Sequence, residues 1–135
     1  MLKKFKSKAM ILINTLIILF LVGCSGGSYK CINSIENNTN NSMEMSYSSF
    51  DGHKFNSIKL KKGDELNLNV EVITKEGTLK ITLVDKNDNE LFKVENPKES
   101  INKTIKIEKD STYKVKVEGK HEGSYKITWD IKHSS

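Results

Sequence analysis

Strict alternation of apolar and polar side chains is the feature that most constrains the fold of this chain. Successive side chains of a β-strand point to opposite faces of a sheet, so a period of two predicts strands with one buried and one solvated face. The apolar positions that alternate in this way are Leu66, Leu68, Val70 and Val72; Leu79, Ile81 and Leu83; Tyr113, Val115 and Val117; and Tyr125, Ile127, Trp129 and Ile131.

Weaker strands and regularly spaced turn signals complete this pattern. Further strands are predicted at 43–50, 55–60, 90–95 and 101–108. The turn signals between strands are DG (51–52), KKGD (61–64), KEG (75–77), DKND (85–88), NP (96–97), KDS (109–111) and EGKHEG (118–123). Turns about every ten residues without a helical apolar stripe are typical of an all-β sandwich or barrel. We therefore expect a jelly-roll-like antiparallel β-sandwich of about seven or eight strands over residues 43–135, since parallel pairs need crossover helices.

The N-terminus has the three parts of an export signal. Residues 1–8 carry four lysines and no acid, residues 9–23 are apolar except for Asn14 and Thr15, and Cys24 follows Gly23. A basic start, a short apolar run and a small residue at the cut site define a secretory signal peptide. The apolar run is short for a spanning helix, which needs roughly 20 residues.

The last four residues of this signal, Leu21-Val22-Gly23-Cys24, resemble the lipobox of bacterial lipoproteins. The resemblance implies cleavage of residues 1–23 and a diacylglycerol on the Cys24 thiol, and two acyl chains give stable membrane anchoring. An ordinary secretory signal and a retained single-span anchor are the alternatives. The expected location is the extracellular face of a cell membrane. The absence of arginine beside many lysines and asparagines is typical of an AT-rich genome, which favours a Gram-positive source over a Gram-negative one.

Residues 25–42 are rich in Ser, Gly and Asn and show no apolar period. This composition is typical of flexible coil, so lipidated Cys24 and residues 25–42 are expected to form a tether below the domain. Cys31 lies in this tether and has no partner within the chain if Cys24 carries lipid. We expect a free thiol there, with an intermolecular bridge as the alternative.

The net charge of +5 reflects mainly the export signal. Four of the 22 lysines precede Cys24, which leaves 18 lysines against 17 acidic residues in the mature chain. A nearly neutral domain gives no electrostatic support for nucleic-acid binding. No nucleic-acid partner is expected.

Two stretches of the sandwich resemble a known family. They are KKGDELNLNVEV (61–72) continued by GTLKITLVDKNDNELF (77–92), and STYKVKVEGKHEGSYKITW (111–129). Both resemble the pre-peptidase C-terminal domain, a β-sandwich appended to many secreted bacterial peptidases, and small uncharacterised lipoproteins of clostridia and bacilli. The matching positions are Gly63-Asp64, Tyr113, Gly119 and Gly123-Ser124-Tyr125. The resemblance implies the fold, but no peptidase is attached, so it leaves the role open.

No motif predicts catalysis, a cofactor or a metal. Asp85, Asn87 and Asn89 have the spacing of the first calcium ligands in an EF-hand, but the required Gly and Glu are missing. A looser calcium site and a plain turn both remain possible for this loop. The three histidines, His53, His121 and His133, are expected in loops, and no G-x-S-x-G nucleophile motif occurs. The chain is therefore not expected to be an enzyme.

The remaining functions are non-catalytic. We expect a binding or adhesion module at the bacterial cell envelope whose partner is a glycan or an envelope protein. The alternative is an accessory subunit that localises or stabilises another envelope protein or transporter. Tyr125 and Trp129 share the apolar register and are expected in the core, whereas Tyr47 and Phe50 are weaker candidates for an exposed sugar site. The outward-facing lysines of the last two predicted strands could meet an anionic wall polymer or lipid headgroups, or be merely solvated; they are Lys114, Lys116, Lys126 and Lys132.

Overall fold

The computed structural model describes residues 25–134, which form seven β-strands and no helix. The strands are β1 (Ser25–Ile32), β2 (Ile35–Thr39), β3 (Ser42–Leu60), β4 (Glu65–Val84), β5 (Glu90–Glu95), β6 (Ile101–Lys106) and β7 (Ser111–Lys132). Residues 25–134 therefore contain no helix that could span a membrane. The export signal and the lipidation site predicted at Cys24 lie outside the described residues.

All strand pairs are antiparallel, and three strands are long enough to serve both layers of a sandwich. Strand β7 lies between β3 and β4 along almost its whole length. The pairing register shifts at Tyr47/Phe50 and at Thr74/Glu76, where the long strands bend. Strands β1 and β2 pair with the two halves of β3, and β5 and β6 with the two halves of β4.

The bends divide the folded sheet into two layers. The β2 layer contains β2, β6 and segments 42–47, 65–74 and 123–132 of the long strands. The β1 layer contains β1, β5 and segments 50–60, 76–84 and 111–121. We call the row of bends at 48–49, 74–76 and 121–123 the bend line. The opposite end of the sandwich, the loop end, holds the connections 61–64, 85–89 and 107–110.

The core is built from the alternating apolar residues of both layers. Leu68, Ile127 and Trp129 from the β2 layer join Ile81 and Val115 from the β1 layer in one buried cluster. Trp129 is 4% exposed and Tyr125 1%, which confirms the prediction that these aromatic residues lie in the core. The predicted fold class, an antiparallel β-sandwich, is likewise confirmed.

Three predicted turns are wrong, because the residues lie inside long strands. DG (51–52) belongs to β3, KEG (75–77) to β4 and EGKHEG (118–123) to β7. Glycine inside a strand often marks a bulge, a tight bend or a close approach of another backbone. Gly77 has φ of 85° and lies beside the register shift of β4, so here glycine permits a bend without ending the strand.

The predicted flexible tether over residues 25–42 is also wrong, and so is the domain boundary at 43. Residues 25–32 pair with β3 from Ser25↔Asn56 to Ile32↔Ser49, and residues 35–39 pair with its first half. These are edge strands whose side chains are mostly exposed, so they need no alternating apolar pattern. The Cys31 side chain is half-buried, with Sγ 3.6 Å from Met45 Sδ.

A charge pair also fastens β2 to the β1 layer. The carboxylate of Glu36 forms an ion pair with the amino group of Lys54, a buried side chain of β3. Burying an amino group is costly without a partner of opposite charge. Glu36 therefore ties the segment expected to be a spacer into the folded domain.

Candidate functional site

A cavity of about 380 Å³ lies on the bend line, and we call it the bend cavity. Its lining comes from all three long strands, as residues 48–51 of β3, 76–77 of β4 and 120–122 of β7. Bulges and bends are over-represented next to functional sites because they redirect side chains out of the regular sheet. The bend line is therefore the first place to look for a binding function.

His121 forms the buried wall of this cavity. Its Nδ1 shares a hydrogen bond of 2.6 Å with the Tyr47 hydroxyl, and its Nε2 shares one of 2.8 Å with Thr74 Oγ1. Burial lowers the pKa of His121 below its ordinary value of 6.5, so the neutral imidazole is favoured. The prediction of a loop histidine is wrong here, because His121 lies within β7 and joins β3 to β4.

Acid should destabilise the domain through His121. The folded state lowers this pKa, so the favourable contribution of the neutral ring is present above the unfolded value of 6.5 and is lost as pH falls from there toward the folded pKa. One proton taken up on unfolding gives a slope of up to about 1.4 kcal/mol per pH unit. Denaturant unfolding at a series of pH values measures it. His121→Gln should flatten the stability profile as the pH falls below 6.5. If the profile of this variant equals that of the parent, another group causes the acid sensitivity.

The rim of the bend cavity is acidic. Glu76 of β4 and Glu122 of β7 are directly opposed in the strand register, and like charges in that position are destabilising. Across the cavity, the Asp51 carboxylate lies 3.9 Å from the Lys120 amino group. Carboxylates accept hydrogen bonds and have no donor when ionised, so this rim suits a ligand that supplies hydroxyl groups.

The aromatic residue that is exposed near the cavity is not one of those considered from the sequence. Tyr47 and Phe50, the weaker candidates for an exposed sugar site, are both buried, so that interpretation is wrong. Tyr29 of β1, 37% exposed, stacks on Phe50 with ring centroids 5.5 Å apart. Nothing in the sequence predicts a role for Tyr29, because its segment has the composition of a spacer.

The loop at residues 85–89, whose spacing resembles that of calcium ligands, is a turn held together by hydrogen bonds to the Asp85 carboxylate. Asp85 Oδ1 accepts the backbone N–H groups of Asn87 at 2.8 Å and Asn89 at 3.0 Å, and Oδ2 accepts the Asn89 side-chain amide at 3.0 Å. These hydrogen bonds, led by that of the Asn89 side chain, lower the pKa of Asp85.

Within residues 25–134 no three His, Cys, Asp or Glu side chains come together as metal ligands. His53 lies in β3, and His133 Nδ1 is 3.4 Å from Asp64 Oδ1.

The four outward-facing lysines of the last two predicted strands are not brought together in one surface. Lys114 and Lys116 lie on the β1 layer, where Lys114 covers the Phe55 ring at 4.6 Å and Lys116 lies 3.7 Å from Glu118. Lys126 and Lys132 lie on the β2 layer. Three other lysines do converge at the loop end around a second cavity of about 490 Å³; they are Lys59, Lys61 and Lys86.

Comparison with known proteins supports the fold and gives no family. No family model matches the chain, and no curated protein matches it. Among solved structures, the enzymatically active domain of tailspike protein 4 of Bacteriophage CBA120 superposes with a TM-score of 0.50 at 11% identity over 82% of this chain, which spans only 20% of the tailspike chain. TmCBM61 in complex with beta-1,4-galactotriose gives 0.47 at 15% identity, covering 82% of this chain and 87% of that one. A family 29 carbohydrate binding module gives 0.42 at 13%, covering 81% and 77%. At 11% identity, the likeness to the tailspike domain concerns the fold alone.

Proposed function

We propose that the mature chain is a lipid-anchored, non-catalytic binding module of a bacterial cell envelope, and that its bend cavity holds a glycan. The observation that carries this proposal is the opposition of Glu76 and Glu122 at the rim of a cavity. A pair that weakens the sheet is expected at a functional site, where a ligand compensates for it.

The chemistry of the cavity favours a hydroxyl-rich ligand. Its volume of about 380 Å³ falls in the range of small-ligand sites. The carboxylates of Glu76, Glu122 and Asp51 can accept hydrogen bonds from sugar hydroxyls, while Ser48 and Ser49 can both donate and accept. Hydrogen bonds to charged acceptors contribute about 1.5–3 kcal/mol each, enough for a few of them to hold a short glycan.

The position of β1 gives the module an orientation. Ser25 lies at the end of β1 that points toward the loop end, and Ile32 lies at the bend line. Eight strand residues span roughly 26 Å. An acyl group on Cys24, one residue before β1, would therefore hold the loop end at the membrane and present the bend cavity to the envelope.

The glycan proposal is tested by removing the rim charge. Glu76→Gln relieves the repulsion with Glu122, so we expect unchanged or slightly higher stability together with about tenfold weaker retention on immobilised Gram-positive cell-wall polysaccharide. Glu71→Gln is the matched control, because Glu71 lies on the same strand but opposite Lys126. Equal retention of parent, variant and control would refute the glycan site.

The anchor is tested at Cys24. Cys24→Ala, expressed in a bacterium, should abolish acyl labelling and cleavage before residue 24, because the thiol is the acceptor of the diacylglycerol in the motif that LVGC resembles. Metabolic labelling with a fatty acid and N-terminal sequencing measure the two effects. A variant that is still labelled, and still sediments with membranes after an alkaline wash, would show that the anchor lies elsewhere.

The accessory-subunit function has one observation in its favour. Ile35 and Ile73 are 76% and 65% exposed on the outward face of the β2 layer, on either side of Ser46 and Ser124 in one row across the sheet. Exposed apolar side chains suit contact with another protein. An envelope protein that co-purifies with the detergent-extracted parent and is lost with an Ile35→Ser, Ile73→Ser variant would favour this alternative.

A further inference from the structure

The second cavity has the charge of an anion site. It lies at the loop end between the end of β3, the start of β7 and the β4–β5 turn, and we call it the lysine cavity. Lys59, Lys61 and Lys86 line it together with one acid, Asp110. Asp110 Oδ1 already accepts the backbone N–H of Lys62 at 2.7 Å. The lining therefore carries an excess of positive charge.

The three amino groups are available for a ligand. Within residues 25–134, none of the three lysines forms an ion pair, although Lys109 on the neighbouring loop lies 3.7 Å from Asp85. Ser111 also lines the cavity, and its hydroxyl oxygen is buried without a hydrogen-bond partner in the described part of the chain. Ammonium groups and a hydroxyl are suitable donors to a phosphate group.

The lysine cavity lies near the point where the chain enters the domain. Ser25 pairs with Asn56, three residues before Lys59 on the neighbouring strand. One strand spacing and three residues along β3 correspond to roughly 11 Å. A phospholipid surface that holds the chain just before Ser25 would thus lie within reach of these lysine side chains, whose long stems let the charged end extend toward headgroups.

We propose that the lysine cavity binds the phosphate of an anionic phospholipid headgroup and seats the loop end on the membrane. The inference rests on the proposed anchoring for its orientation. The mature chain is nearly neutral, so its net charge does not attract it to an anionic membrane, and a local cluster of lysines is needed for that attraction. The lipid anchor supplies attachment, and the lysine cavity supplies a fixed orientation that turns the bend cavity outward.

The test separates headgroup binding from lipidation. The seven strands that the structure describes, and the core that they share, lie within residues 25–134. The chain from residue 24 with Cys24→Ser can therefore be studied without acyl chains. Co-sedimentation with phosphatidylglycerol vesicles should detect binding, and phosphatidylcholine vesicles should show none. Each lysine at an anionic surface contributes about fivefold, so combining Lys59→Gln, Lys61→Gln and Lys86→Gln should weaken binding about a hundredfold.

A charge-matched control decides whether position matters. Lys75, Lys98 and Lys126 are exposed lysines away from the lysine cavity, and their triple change to glutamine removes the same charge. The control should bind phosphatidylglycerol vesicles like the parent. Equal losses of vesicle binding in the two triple variants would show that only general electrostatics acts, which would overturn the proposal. The proposal would also be overturned if the Cys24→Ser chain with all its lysines did not bind phosphatidylglycerol vesicles. Displacement from the vesicles by low inorganic phosphate would assign the cavity to a soluble phosphate ligand instead. None of these outcomes depends on acyl labelling or on glycan retention.

Discussion

Trp129→Ala should lower the free energy of unfolding by about 3–5 kcal/mol, through lost transfer free energy and the cavity left behind. Trp129 is 4% exposed, lies opposite Leu68 of β4 and belongs to the cluster that joins the two layers. Its backbone N–H also donates to the carbonyl of Asn41 at 2.9 Å, so the residue lies where β7 and the β2–β3 turn meet. A domain of this size has about 5–15 kcal/mol in total, so a large share of its stability would be lost.

Denaturant unfolding of the described domain measures this effect. Asp130→Ala changes the exposed neighbour on the opposite face of β7 and should shift stability by less than about 0.5 kcal/mol. A Trp129→Ala midpoint equal to that of the parent, together with lost retention on a glycan, would instead place this tryptophan in a binding platform. Comparison of Trp129→Ala with Asp130→Ala therefore distinguishes a core role of Trp129 from a ligand-binding role.

The alternating pattern predicted the buried face of the central strands because one face of each strand packs in the core and the other faces solvent. In β7, Tyr113, Val115, Val117, Tyr125 and Ile127 are all buried as the period of two requires. A shift by one residue would expose the whole set, so the sequence specifies the register strongly. The fold class followed from this alternation together with the closely spaced turn signals and the lack of a helical apolar stripe.

The edge strands could not be predicted in the same way. Strands β1 and β2 are held by backbone hydrogen bonds to β3 and by the Glu36–Lys54 ion pair, and neither leaves a periodic signal in composition. Glycine, serine and asparagine can occupy an exposed edge as readily as a flexible linker. Because residues 25–42 were interpreted as a tether, the position of Tyr29 next to Phe50 could not be predicted either.

The bend cavity was beyond prediction for a different reason. Its lining comes from three segments far apart in the chain, and the hydrogen bond between Tyr47 and His121 joins residues 74 positions apart. Which segments meet depends on the register of the three long strands across their bends. Composition and spacing within one segment carry no information about that juxtaposition.

The misinterpreted glycines show how the same residue serves two geometries. A Gly between two alternating runs predicts a hairpin turn when the runs pair with each other. Here the runs on either side of Gly123 are one strand, and both pair with β3 and with β4. The sequence contains the local signal but not the long-range pairing that distinguishes a bend from a turn.

Gly123→Ala is therefore expected to be among the most disruptive small changes in the domain. Gly123 has φ of 144°, a region that residues with a side chain seldom occupy, and a Cβ there would overlap the carbonyl oxygen of Ile73 on the neighbouring strand. The backbone strain costs roughly 1–3 kcal/mol. Overlap with a main-chain atom adds to this, because β4 must move away, so we expect a loss of about 3 kcal/mol or more.

The measurement uses denaturant unfolding with Ser124→Ala as the control. Ser124 is the next residue and faces outward, so its change should alter stability by less than about 0.5 kcal/mol. Because the Cβ of residue 123 would also come within 3.2 Å of His121 Cε1, Gly123→Ala should weaken glycan retention as well as stability. If Gly123→Ala were as stable as Ser124→Ala, residues 118–123 would have to form the flexible turn that the sequence suggests, and the continuous β7 that builds the bend cavity would be wrong.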